Sequence, residues 1–204
     1  MVLCVSAVGQ DYCNFTLDFL NSTFSKIFKV YIQTDKPELF QSYNTNIYYK
    51  STFNFFDKIS YGVKVIDTCK EPGFIVDADD LPHFQYYYDY FDIFSKDVQY
   101  LKYWNEKGTL DSNLPEYEYF WEFMKNILKK EKIPEDKIYM VLEKIFFFPS
   151  LDYSLFLSYF ESLRYSFEKN SRENGTAKNG VGNGEGVAFG YALFKSKLSH
   201  KKVV

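Results

Sequence analysis

Apolar and polar residues follow one another in short blocks along this chain, and the period of the blocks changes from place to place. VLCVSAV (2–8) is a β-branched apolar run ending at Gly9, which predicts a buried strand. The next segment sets Tyr12, Phe15, Phe19 and Leu20 at helical spacing. KVYIQTD (29–35) predicts a second strand, closed by Asp35 ahead of Pro37. PELFQSY reads as a short helix or turn and NIYYK (46–50) as a third, shorter strand. From Phe53 to Cys69 the spacing of Phe56, Ile59, Val63 and Ile66 marks one helical face. Pro72-Gly73 breaks that helix, and Phe74-Ile75-Val76 enters as a fourth strand. Strand and helix therefore alternate over the first 80 residues, the pattern of a parallel sheet with helices on both faces.

The second half has a different texture. LPHFQYYYDYFDIF (81–94) is aromatic with no clear period, and DVQYLKYW (97–104) fits a strand. Three helices are predicted next. The first, 116–130, carries Tyr117, Phe120, Trp121, Met124, Ile127 and Leu128 at spacings of three and four. The second, 134–147, opens on Pro134, and the third, 151–168, carries Leu155, Tyr159, Phe160, Leu163 and Phe167. NSRENGTAKNGVGNGEG (170–186) is rich in Gly and Asn and reads as a mobile loop. VAFGYALFKSKL (187–198) resumes as a final helix, and no internal repeat is visible. The expected fold class is α/β, with a mostly parallel central sheet, flanking helices and a helix-rich C-terminal half. The 204 residues suit one substantial domain, 1–204.

Composition narrows the function. A hydrophobic share of 46% supports a packed core, and a net charge of −3 leaves no basic excess for nucleic acid. No run reaches the ~18 apolar residues of a membrane span. The apolar start has no basic residue before Lys26, so it reads as a first strand rather than a signal peptide. Three cysteines (Cys4, Cys13, Cys69), an odd number with no CxxC pair, point to free thiols in a reducing compartment. The sequons at Asn14, Asn21 and Asn174 would then stay unused, and a cytoplasmic location is expected. The chain holds 22 Phe, 19 Tyr and 2 Trp, which mostly implies an aromatic core. Trp104 and the tyrosines of 86–90 are also able to form a platform for sugar rings. The ending SHKKVV carries no closing signal, which leaves room for the chain to be the front part of a longer protein.

The chemistry concentrates in FIVDADD (74–80), an apolar run that meets three carboxylates. Like charges side by side repel, so a positive charge is expected among them. On a strand, Asp77 and Asp79 share one face while Asp80 points away or starts the next turn. Two hard oxygen donors on one face suit Mg²⁺ or Mn²⁺ held jointly with substrate phosphates. In parallel sheets ligands bind outside the carboxyl ends of the strands, where this cluster falls.

Strand one ending in small residues, strand two ending in Thr34-Asp35, a helix bearing Lys58, and then hydrophobics with Asp77-Ala78-Asp79 together resemble the GT-A glycosyltransferases. The resemblance covers residues 2–80 well and is weaker afterwards. The whole chain is also similar to the amino-terminal domain of a glycosyltransferase encoded by a large chlorella virus. The resemblance implies a UDP-sugar donor, a glycan or glycoprotein acceptor, a glucose- or rhamnose-type hexose, and a role in building a capsid-protein glycan in the host cytoplasm. It divides the domain into a nucleotide-binding half, 1–80, and an acceptor-side half, 81–204. Val5, Ser6 and Ala7 then match the backbone that grips the nucleoside. Asp35 matches a polar residue near the base, and Lys58 a basic residue near base or phosphate. Asp77 and Ala78 belong to the donor site, with Asp77 facing ribose or metal, and Asp79 is the direct metal ligand. Inverting relatives place an acidic base at the start of a late helix, which singles out Glu185, with Asp152 and Asp111 as other candidates. His200 is a less favoured metal ligand, better read as a frayed surface residue, and His83 as a loop residue. Two rivals share the motif. A haloacid-dehalogenase-type phosphatase carries its motif on the first strand, with the first Asp as nucleophile. An inactive sugar-nucleotide-binding domain would use the same DxD.

Overall fold

The computed structural model describes residues 1–52, 55–101, 125–126, 129–133, 145–173 and 185–203. The chain divides into two compact units, 1–101 with 143–153 and 199–204, and 102–142 with 154–198. The strands of the first unit are β1 (Val2–Ala7), β2 (Lys29–Thr34), β3 (Thr45–Tyr49), β4 (Gly73–Asp77), β5 (Val98–Leu101), β6 (Ile145–Phe148) and β7 (His200–Val203). Its helices are α1 (Gln10–Asn21), α2 (Phe55–Cys69) and α3 (Leu81–Tyr88). The second unit contributes α4 (Ser154–Glu173) and α5 (Glu185–Ser196).

The seven strands form one mixed, mostly parallel sheet in the order β3-β2-β1-β4-β6-β5-β7. The first four run parallel. β6 runs antiparallel to both β4 and β5, and β7 lies parallel to β5. The α/β class expected from the alternating pattern is therefore present.

Strand alternation decides which helix packs where. Leu3, Val5 and Ala7 of β1 and Phe74 and Val76 of β4 share a buried cluster with Cys13 and Phe19 of α1 and Leu81 and Phe84 of α3. The Phe74 ring sits 5.0 to 5.5 Å from the rings of Phe84, Tyr88, Phe91 and Phe147. The intervening residues face α2, where the Cys4 thiol donates to the Gly62 carbonyl at 3.8 Å. A Cβ on Gly62 would lie 2.5 Å from Ile75 Cδ1, so α2 approaches β4 this closely only because that side chain is absent. The predicted α2 face is the buried one: Phe56, Ile59, Val63 and Ile66 are each at most 1% exposed. In the second unit, Phe156 stacks on Phe160 at 5.8 Å and meets Phe189 of α5 edge-on at 5.3 Å.

Several expectations are corrected. The buried face of α1 is Cys13, Thr16 and Phe19, while Tyr12 is exposed. Residues 145–147, expected to end a helix, form β6, because Ile145-Phe146-Phe147-Phe148 is buried on both faces between β4 and β5. The rest of that helix, 134–144, lies outside the described residues. Of 116–130, residues 125–126 and 129–130 are described, and they are helical. The 151–168 helix spans Ser154–Glu173 and buries Phe156, Phe160 and Leu163, leaving Leu155 exposed. The 170–186 segment is helical at both ends, up to Glu173 and from Glu185, and 174–184 lie outside the described residues. The aromatic 81–94 stretch opens with α3, started by Pro82 in the first turn. His200 does not fray: it begins β7 and stacks on Tyr100, ring centroids 6.2 Å apart.

Candidate functional site

The parallel strands deliver their last residues side by side. Ser6 of β1 lies opposite both Gln33 of β2 and Asp77 of β4. β4 ends at Asp77, and Ala78–Asp80 then form a 3₁₀ turn that leads into α3 at Leu81. Pro82 suits the first turn of α3, and β4 has already ended five residues before it. This corrects the expected separation of Asp80 from the other two acids. A 3₁₀ turn brings residues three apart onto one side, where a strand would have alternated them. One oxygen from each of Asp77, Asp79 and Asp80 therefore lies within 4.8 Å of the others. Asp79 is exposed, Asp77 half-buried and Asp80 buried.

A positive charge does sit among them. Lys58, expected near base or phosphate, is only 3% exposed and forms an ion pair with Asp77. It reaches the cluster from the first turn of α2, and its Nζ lies 6.0 Å from the centre of the Phe146 ring on β6. Beside it, Lys50 pairs with Asp57 at 2.6 Å and ties the end of β3 to the start of α2.

The other strand ends are committed locally. Ser6 Oγ donates to Gln33 Oε1 at 2.8 Å, and Val5 and Ala7 are buried. The Ala7 carbonyl accepts from the Cys13 thiol at 3.2 Å, and burial pushes that thiol above its ordinary range. Asp35 accepts the Gly9 N–H at 3.0 Å and so holds the β1–α1 turn. Gly9 sits at φ +97°, a conformation that favours glycine. A cleft of about 390 Å³ opens beside these ends, lined by Asp11, Tyr12, Asn14 and Phe15 of α1 and by Asp79.

The remaining sequence candidates scatter. The β4–β6 register pairs Gly73 with Phe148, which puts the segment after β6 at the opposite end of the sheet from Asp77. There the Tyr153 N–H donates to Asp67 on the last turns of α2, at 3.4 Å. Asp152, next to it and exposed, is thus not brought to the carboxylates. His83 is exposed on α3, and Glu185 is the first residue of α5 in the second unit. Trp104 and Asp111 lie outside the described residues. Of the tyrosines at 86–90, Tyr88 packs into the core, while Tyr86 and Tyr90 are exposed and join hydroxyls at 2.9 Å.

Sequence reasoning missed Asp80 as a member of the cluster, although Pro82 was the available signal. It also missed the α1 side of the cleft, because Tyr12 and Phe15 were read only for their helical spacing. Hard carboxylate oxygens converging beside an open cleft fit Mg²⁺ or Mn²⁺, and Asp79 leaves the cluster accessible. Among the described residues, no helix is long and apolar enough to cross a membrane. No model of a known protein family matches the sequence, and no curated protein matches it either.

Proposed function

We propose that this chain is a metal-dependent glycosyltransferase of the GT-A kind, moving a hexose from a UDP-sugar to a hydroxyl of a glycan acceptor. The observation that carries the reading is the meeting of Asp77, Asp79 and Asp80 at the carboxyl end of β4, next to the cleft on α1. Bound there, Mg²⁺ or Mn²⁺ supplies positive charge to the diphosphate of the departing UDP. Asp79, exposed toward the cleft, is the direct ligand, while Asp77 and Asp80 complete the oxygen set. Tyr12 and Phe15 offer aromatic faces to a base or sugar, and Asp11 and Asn14 offer polar atoms to its hydroxyls. Val5, Ser6 and Ala7 contribute through the backbone, since their side chains are buried. Asp35 contributes by holding the β1–α1 turn. Glu185 is proposed as general base from the sequence resemblance alone, and the acceptor is proposed to be a glycan of the kind found on viral capsid protein.

The phosphatase reading is weaker because its motif belongs on a first strand, whereas Asp77 ends β4. The test is release of UDP from UDP-glucose, UDP-galactose and UDP-rhamnose, with Mn²⁺ or with EDTA. Release that depends on Mn²⁺ is expected. Phosphate release from simple phosphoesters would favour the phosphatase. Tight binding of UDP-sugar with no release, with or without glycan acceptors, would favour an inactive binding domain.

A further inference from the structure

A lysine buried to 3% exposure is costly unless its charge is answered, and the surroundings of Lys58 show what answers it. Three elements converge on its ammonium. α2 carries it, β4 offers the Asp77 carboxylate, and β6 presents the face of Phe146 at 6.0 Å. The lysine is thus locked onto the side of the acidic cluster that faces the sheet, while Asp79 looks outward to the cleft. With all four groups ionised, three carboxylates and one ammonium sum to −2. That is the charge one divalent cation neutralises. Without Lys58 the same oxygens would carry −3 and repel one another more strongly.

We propose that Lys58 is a positioning residue that acts as a resident counter-charge: it holds the three carboxylates together before a cation arrives and sets their net charge to match a single divalent ion. This role differs from contact with a base or phosphate, because the ammonium is buried against Asp77 and Phe146. It rests on the metal-site part of the proposed function. Removing this lysine should tighten cation binding and at the same time loosen the cation-free cluster, whereas a lysine reserved for phosphate would leave the Tm in EDTA and its salt dependence unchanged.

The test uses the whole chain without nucleotide and compares wild type with Lys58→Met, Lys58→Arg and the double variant Lys58→Met/Asp77→Asn. Mn²⁺ binding is followed by calorimetry, and thermal unfolding is followed in EDTA at low and high NaCl. Lys58→Met should bind Mn²⁺ at least about tenfold tighter, the lower bound set by one unit charge removed ~5 Å from a divalent ion even at the dielectric of water. In EDTA its Tm should fall below that of wild type and recover with salt, which screens the carboxylates. Lys58→Arg should keep affinity and Tm near wild type. The double variant, again at −2, should lose the salt-dependent recovery. It also covers the case in which Lys58→Met alone does not fold. Weaker or unchanged Mn²⁺ binding in Lys58→Met, or a Tm in EDTA that ignores salt in all variants, would overturn the proposal. A wild-type chain that binds no Mn²⁺ would sink the metal-site reading instead, and the salt comparison would still judge Lys58.

Discussion

The two sides of the sheet were assembled under different rules. β3, β2, β1 and β4 run parallel, come from the first 77 residues and end together. β6, β5 and β7 come from three distant stretches, run in mixed directions and are built around Phe146, Phe147, Phe148 and Tyr100. On the parallel side the carboxyl ends carry polar and acidic groups: Thr34 with Asp35, and Asp77 with Asp79 and Asp80. On the other side the described strands contribute packing, and the Phe146 ring beside Lys58 links them to the acidic cluster. Parallel strands must all finish at one edge, so their loops collect there and chemistry collects with them. An antiparallel strand sends its own ending to the far edge, as β6 does with Asp152. The contrast teaches that stability and ligand chemistry should respond separately to substitution.

The largest effect is expected on the packed side. Phe147 is fully buried and lies 5.0 Å from the Phe74 ring. Phe147→Ala should cost ~3–5 kcal/mol of stability, read from urea unfolding, with Mn²⁺ affinity of the folded protein unchanged. Asp79→Ala should do the reverse. Metal-dependent UDP-sugar binding should fall more than about a hundredfold, beyond the ~10–100-fold that even indirect metal partners supply, while Tm holds. Unchanged donor affinity in that variant would break the site assignment and erase the contrast.

Gly62→Ala probes the seam between α2 and β4. The new Cβ would press on Ile75 Cδ1 and Cγ1, both at 2.5 Å, and overpacking should cost ~1–3 kcal/mol. Because Lys58 rides on the same helix, this variant should also shift Mn²⁺ affinity, which Phe147→Ala should not. The smallest effect concerns Asp97, whose carboxyl is held below its ordinary pKa of 3.8, chiefly by the hydrogen bond from Ser199. A lowered folded pKa adds stability that is present above 3.8 and is lost as pH falls through the lowered value. Asp97→Asn should therefore flatten the acid limb of the stability curve and change little at pH 7.

Much of the parallel side was legible because its signals are local. β1, β2 and β4 announce themselves by short β-branched runs, and α2 by four apolar residues at helical spacing, since burial of a regular element imposes its period on the chain. β6 was hidden for the same reason. A run of Ile and Phe buried on both faces has no period, and a preceding helical pattern absorbed it. β7, with Lys201 and Lys202 along it, carries the polar marks of an edge strand and looked like a frayed end. At the site, Asp77 and Asp79 were legible from composition and order alone. Asp80 was not, because strand alternation was carried past Asp77, where β4 ends and the 3₁₀ turn begins.

The sequence by itself determined that strands and helices alternate, that the first strands run parallel, and that carboxylates crowd the end of the fourth. These follow from side-chain period and chain order, which are properties of neighbours along the chain. Only the tertiary structure decided that Lys58 answers Asp77 across 19 residues, that Phe146 comes from the other side of the sheet to cover that lysine, and that Asp152 ends far from both. A buried charge is tolerable only where distant elements bring it a partner, and which elements meet is set by packing the whole sheet rather than by any local pattern.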